Sequence, residues 1–173
     1  MHDDQRAILD RFRDLSSQKF IPLQASLELT NRCNERCGHC YIPSFKDDPK
    51  RVLGKEDWFH VLQELRTAGT LFVILMGGEA MLNPHFWDIL QRAGELNFHT
   101  SMISNGLKIT DRAVTKRLKD LGLKNITISL YSLVPEIHDK MTKVRGSHQK
   151  TMRAIDLALE EGIDISVNSL LTK

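Results

Sequence analysis

Polar and apolar residues alternate at period two from Gln24 to Thr30 (Gln-Ala-Ser-Leu-Glu-Leu-Thr), the pattern of a strand with one face on a core. Helical spacing takes over from Lys55 to Ala68, where Trp58, Val61, Leu62 and Leu65 form one stripe. Leu71 to Met76 is an unbroken apolar run, as expected of a strand covered on both faces. A Gly77-Gly78-Glu79 turn and a helix from Pro84 to Leu96 follow, with Pro84 suited to its first turn. The cycle repeats as a strand at Phe98 to Ile103, a Ser104-Asn105-Gly106 turn, and a helix at Asp111 to Leu121 stopped by Gly122. Asn125 to Leu130 reads as another strand, His148 to Glu161 as a helix closed by Gly162, and Asp164 to Leu170 as a last strand. An amphipathic stretch, Arg6 to Leu15, precedes them all.

Strands alternating with helices predict an α/β fold with a parallel sheet. Five strands and four main helices make a partial (β/α) barrel, since a full eight-fold barrel needs about 250 residues. The expected division is an N-terminal helical extension over 1–22 and the barrel portion over 23–173. A fifth strand at the margin leaves an apolar edge, so a portion of a longer polypeptide is expected rather than an independent module.

Composition narrows the function classes. The chain of 173 residues is 41% hydrophobic and 27% charged, as in ordinary globular proteins. A net charge of +2 is too small to argue for nucleic acid or an anionic membrane as partner. No apolar run reaches the length of a membrane span. The polar start, Met1-His2-Asp3-Asp4-Gln5-Arg6, is not a secretory signal. With clustered cysteines, this points to a reducing cytoplasm. Ser44 to Arg51 is the one linker-like segment.

All three cysteines fall in one window, Cys33-Asn-Glu-Arg-Cys37-Gly-His-Cys40. Three are the wrong number for a disulfide framework, and a structural zinc site or closed iron–sulfur cluster wants four ligands. A cluster held by three thiolates keeps one iron open, and an open coordination position is where metal chemistry occurs. Two other readings stand beside it. His39 would complete a Cys3His zinc knuckle, though adjacent residues rarely converge on one ion. The i, i+4, i+7 spacing would also suit three small core side chains on a helix, against which Thr30-Asn31, Asn34 and Gly38 read as turn residues.

Other candidates also fall where strands hand over to helices, the rim on which barrels of this type carry function. Gly77 and Gly78 allow close backbone approach of a ligand, and Glu79 offers a carboxylate to a cationic amine. Ser104 and Asn105 are short hydrogen-bonding side chains, equally at home in a plain turn. In Ser129-Leu130-Tyr131-Ser132, strand alternation lets one face meet a ligand, and Ser129 is the favoured candidate. Asn168 is placed to reach the barrel interior or to serve structurally.

The run Cys-x3-Cys-x2-Cys followed by Tyr41 resembles the signature of the radical S-adenosylmethionine (SAM) enzymes. Leu27-Glu28-Leu29-Thr30-Asn31-Arg32-Cys33-Asn34, Gly-Gly-Glu with Met81-Leu82-Asn83-Pro84-His85-Phe86, Ile128 to Ser132, His138-Asp139 with Gly146-Ser147, and Val167 to Thr172 are similar to the peptide-modifying, SPASM/twitch-type members. The resemblance spans roughly Leu23 to Lys173. It implies a six-stranded partial barrel, of which this chain would stop before the sixth strand. It also implies a [4Fe-4S] cluster on Cys33, Cys37 and Cys40, with SAM bound by Gly77, Gly78, Glu79, Ser104, Asn105 and Ser129. The activity implied is reductive cleavage of SAM to a 5′-deoxyadenosyl radical that abstracts hydrogen from substrate, a peptide or protein in the subgroup resembled. An electron donor such as flavodoxin or ferredoxin goes with it. No residue is assignable as a substrate acid or base. The sequence departs from the family at Ala80, where proline is usual, and at Thr142, where many members carry an arginine aimed at the SAM carboxylate; Arg145 is the nearby substitute. A non-catalytic half-barrel that binds cluster or SAM is the competing class, with the zinc module behind it.

Overall fold

In the structure, a computed structural model, residues 10–170 are described apart from 12, 43 and 49–51. The start of the amphipathic stretch at Arg6 and the end of the resembling segment, Leu171 to Lys173, lie outside the described residues. Five strands form one sheet: β1 (Gln24–Glu28), β2 (Phe72–Met76), β3 (His99–Ser104), β4 (Leu123–Ser129) and β5 (Asp164–Asn168). Spatial order equals chain order and every adjoining pair is parallel. Parallel neighbours need a crossover rather than a tight turn. Helix α1 at 13–18 precedes the sheet; α2 (Lys55–Thr67), α3 (Phe86–Glu95) and α4 (Arg112–Asp120) each join two strands, and α5 (Pro135–Thr142) with α6 (Ser147–Glu161) join β4 to β5. This is the expected α/β partial barrel of about five strands.

One core knits the layers together. Leu62 from α2, Val73 and Leu75 from β2, Phe86, Ile89 and Leu90 from α3, Met102 from β3, Leu118 from α4, Ile126 and Ile128 from β4 and Leu157 from α6 are all fully buried. At about 1.5–3 kcal/mol for each large side chain withdrawn from water, this is the main stabilising term. Caps set the helix ends: Asp111 accepts from the backbone N–H groups of Ala113 and Val114, so it stands just before α4 rather than inside it.

Several expectations need correction. Leu71 to Met76 is not buried on both faces: Val73 and Leu75 are sealed under helices, while Ile74 and Met76 on the other face are half-buried and Phe72 is 41% exposed. In an open half-barrel the inner face has no opposite wall. The strand expected from Asn125 begins at Leu123, with a register irregularity against β3 at Thr100 and Ser101. Pro84 lies outside α3, whose N-cap is His85; a 3-10 turn, Ala80–Leu82, fills the space between. Helix α5 went unread, although Pro135 at its first turn and Glu136 beside it are ordinary start signals. The last strand, expected through Leu170, ends at Asn168 and is mostly exposed, Val167 to 54%, as befits a sheet margin.

Candidate functional site

The segment from Asn31 to Cys40 contains no helix, which removes the reading of three cysteines on one helical face. Its start is tied down by Asp47, which accepts the Thr30 hydroxyl at 2.7 Å on Oδ2 and the Asn31 N–H at 2.7 Å on Oδ1. The stretch read as a linker therefore fastens the cysteine loop, with residues 49–51 outside the described residues. Farther on, the loop lies against α5: the Arg36 and Gly38 N–H groups donate to the Thr142 and Met141 carbonyls, each at 3.0 Å. The helix thereby lends the loop two carbonyls that have no partner within its last turn.

Next to the loop stands the turn after β2. The N–H of Gly78 donates to Thr30 O and that of Glu79 to Arg32 O, both at 2.8 Å. A Cβ on Gly77 would strike the Thr30 carbonyl oxygen, and one on Gly78 the Arg32 carbonyl oxygen. Gly77 also has φ +148°. The two glycines thus admit the backbone of the cysteine loop.

The Glu79 side chain turns inward. It is completely buried, and its carboxylate accepts from Ser104 Oγ (2.9 Å), the Asn105 N–H (3.0 Å) and the Met81 N–H (3.3 Å). Burial raises its pKa, against the lowering effect of these bonds. It ties the ends of β2 and β3 together behind the site.

Cys33, Cys37 and Cys40 line one cavity of about 290 Å³, shared with Gly77, Gly78, Ser104, Asn105, Ser129 and Asn168. Every predicted site residue except Glu79 is therefore brought to this space. Tyr131 is there too. Ser129 and Tyr131 are two residues apart and so share a face by strand alternation, which fits both lining the cavity. Two roomier hollows, of about 550 Å³ outside β1 and about 870 Å³ along α6, touch no cysteine and lack the soft donors that give this one its chemistry. His39, the proposed fourth zinc ligand, instead sets Nδ1 3.4 Å from Met141 Sδ and its ring against Tyr131. Among the described residues, no three His, Cys, Asp or Glu side chains gather tightly enough to hold one metal ion. Three soft sulfurs around a shared cavity suit a group wider than a single tetrahedral ion.

The profile described as the Radical SAM superfamily matches residues 27–173. The chain belongs to that superfamily. Members are enzymes that use a [4Fe-4S] cluster and SAM. Among curated relatives, this radical SAM chain is 32% identical over 152 residues to the sporulation killing factor maturation protein SkfB of Bacillus subtilis, covering 88% of this chain and 36% of that protein. It is 26% identical over 164 residues to the PqqA peptide cyclase of Bradyrhizobium diazoefficiens, covering 95% and 43%. In fold it matches Streptococcus suis SuiB bound to precursor peptide SuiA, with a TM-score of 0.76 at 21% identity, over 92% of this chain and 36% of that one. It also matches anSMEcpe with bound AdoMet, with a TM-score of 0.70 at 18% identity, over 84% and 43%. The chain thus spans well under half the length of these relatives.

Within this radical SAM core, the three cysteines are half-buried in a lining of mixed polar and apolar side chains. Burial lifts the Cys33 thiol above its ordinary range. Burial, then the Glu35 carboxylate beside it, pushes Cys37 up to about 12. Glu35 itself is almost fully buried, with one oxygen 3.4 Å from Cys37 Sγ and the other unpartnered; burial lifts it to about 7. Asn105 Nδ2 reaches Asn34 Oδ1 at 2.7 Å and stands 3.8 Å from Cys33 Sγ. Thr142, in place of the family's arginine, is buried and bonded to Ser147 Oγ at 2.7 Å, while Arg145 is exposed and does not line the cavity. Sequence reasoning missed Glu35, Asp47 and the Tyr131–His138 contact, none of which has a local pattern to announce it.

Proposed function

We propose that this chain is the core of a radical SAM enzyme in which Cys33, Cys37 and Cys40 hold a [4Fe-4S] cluster and the Gly77-Gly78 turn, Ser104, Asn105 and Ser129 bind SAM. Residues 23–173 make up this core and 1–22 an extension. The reading is carried by one observation: the three cysteines and the ends of β2, β3 and β4 share a single cavity. When bound, the two cofactors supply reductive cleavage of SAM to a 5′-deoxyadenosyl radical, which takes hydrogen from the substrate.

The chain's own residues do the holding. The three thiols give up their protons to become ligands, so cluster uptake releases protons, those of the half-buried Cys33 and Cys37 included. Gly77 and Gly78 keep the SAM side of the cavity against the cysteine loop. Glu79 acts from behind, holding Ser104 and Asn105 in line with β2. Asn105 stands between that line and the Cys33 sulfur. A peptide or protein substrate is supported by the names of the relatives, a peptide cyclase, a maturation protein and a protein bound to a precursor peptide. A flavodoxin or ferredoxin as electron donor and a cytoplasmic setting belong to the same proposal. No helix among the described residues is long and apolar enough to cross a membrane.

The test is anaerobic reconstitution with iron and sulfide, then dithionite and SAM, assayed for 5′-deoxyadenosine. The expected result is product that vanishes in each of Cys33→Ala, Cys37→Ala and Cys40→Ala. A cluster-loaded protein without product would favour a non-catalytic half-barrel, and a colourless protein binding zinc one to one would overturn the reading.

A further inference from the structure

Tyr131 is gripped on three sides. Its backbone N–H donates to His138 Nδ1 at 3.2 Å, which leaves the ring proton on Nε2. Its ring stacks on His138 with centroids 5.6 Å apart and an interplanar angle of 27°. His39, from the cysteine loop, meets it edge-on at 4.8 Å. His138 is itself fully buried on α5, the same helix whose last carbonyls receive the Arg36 and Gly38 N–H groups. The tyrosine and the middle of the cysteine loop are thus referenced to one rigid element. The Tyr131 hydroxyl stands 4.0 Å from Cys37 Sγ, inside the cysteine-lined cavity.

We propose that Tyr131, held in place by His138, is the hydrogen-bond donor to the sulfur of Cys37 and through it raises the reduction potential of the bound cluster. The inference rests on Cys33, Cys37 and Cys40 being the cluster ligands. As a free thiol, Cys37 donates to Glu35 Oε2 at 3.4 Å. As a ligand it has lost that proton and can only accept. The Tyr131 hydroxyl beside it carries a hydrogen to give, whatever the state of Glu35. A negatively charged sulfur draws such a donor into a shorter, stronger bond. Reduction adds one electron to the cluster, and hydrogen bonds to its sulfurs are among the factors that set its potential. A donor favours the more negative state, so the bond shifts the potential upward. Tyr131 therefore acts through Cys37, and His138 is a positioning residue for it.

The experiment is a redox titration of the anaerobically reconstituted protein without SAM, followed by electron paramagnetic resonance, with iron content measured on the same samples. Tyr131→Phe keeps the ring contacts and removes only the hydroxyl. Its midpoint should move to more negative potential by up to about tenfold in the one-electron equilibrium, or about 59 mV. His138→Phe should shift it the same way, and His138→Asn, which retains an acceptor near Tyr131 N, should recover most of the wild-type value. Resonance Raman reads the bond independently of the variants' stability: the wild type should show a deuterium-sensitive Fe–S(Cys) stretch. An unchanged midpoint in an iron-replete Tyr131→Phe protein, or no deuterium sensitivity in the wild type, overturns the inference and leaves the functional reading intact. A wild-type protein that takes up no cluster overturns both.

Discussion

Ser104 donates its hydroxyl to the carboxylate of Glu79, 2.9 Å from Oε2 and 3.1 Å from Oε1, in a place water does not reach. The bond joins the end of β3 to the turn after β2. With the Asn105 and Met81 N–H groups on the same carboxylate, it makes Glu79 the clasp of the cofactor-facing rim. Glu79→Gln replaces one accepting oxygen with an amide that opposes a donor. It should cost roughly 1–3 kcal/mol, the penalty for a buried polar group left unmatched. Ser104→Ala should cost about 1 kcal/mol. Urea denaturation of the two variants and the double variant checks this, and the double should cost less than the sum because the two share one contact.

The glycine turn gives a sharper expectation. Alanine at position 77 meets both a φ of +148° and the Thr30 carbonyl. A residue forced into that backbone region costs about 1–3 kcal/mol before any clash. Gly77→Ala should therefore be less stable than Gly38→Ala, since a Cβ on Gly38 meets nothing within 4 Å. Thermal unfolding of the two variants, side by side, makes the comparison.

Asp47 should matter although it lies in what looks like a linker. Its carboxylate accepts from Thr30 and Asn31, and hydrogen bonds to a charged group contribute about 1.5–3 kcal/mol each at best. Asp47→Ala should loosen the cysteine loop more than it loosens the sheet. Amide hydrogen exchange should rise at Asn31 and Arg32 while β3 and β4 stay protected.

A pH effect follows from His138. Burial pulls its pKa below the ordinary 6.5, with His148 acting the same way and Asp139 opposing; Tyr131 faces its other side. On acidification the unfolded chain takes up the proton before the folded one. The contribution is therefore intact above about pH 6.5 and lost as pH falls through the folded pKa. Between about pH 7.5 and about pH 5.5, the wild type should lose more thermal stability than His138→Asn, and the difference between their profiles is the quantity to measure.

The fold was legible because its signals are local. Strand runs such as Gln24 to Thr30 and stripes such as Trp58, Val61, Leu62 and Leu65 carry their periodicity within a few residues, and the observed elements follow them closely. The cysteine loop and the turns beyond β2 and β3 were legible as chemistry because rare residue types cluster there. What the sequence did not disclose depends on contacts far along the chain. Glu79 and Ser104 are 25 residues apart, Tyr131 and Cys37 are 94 apart, and nothing near Glu79 announces that its carboxylate turns inward. The close packing of Gly77 and Gly78 was hidden for the same reason: the backbone that crowds them belongs to another strand end. Helix α5 is a different case, since its start signals were present but Ile137 is exposed and its buried positions, His138 and Thr142, are polar, so it shows no apolar stripe.

The most direct test of the central claim is the electron paramagnetic resonance spectrum of the reconstituted, dithionite-reduced protein before and after SAM is added. If three cysteines hold the cluster and leave one iron for SAM, a reduced-cluster signal appears and SAM changes it, and each cysteine-to-alanine variant loses it. A signal indifferent to SAM, or a protein that takes up zinc and no iron, would contradict the account.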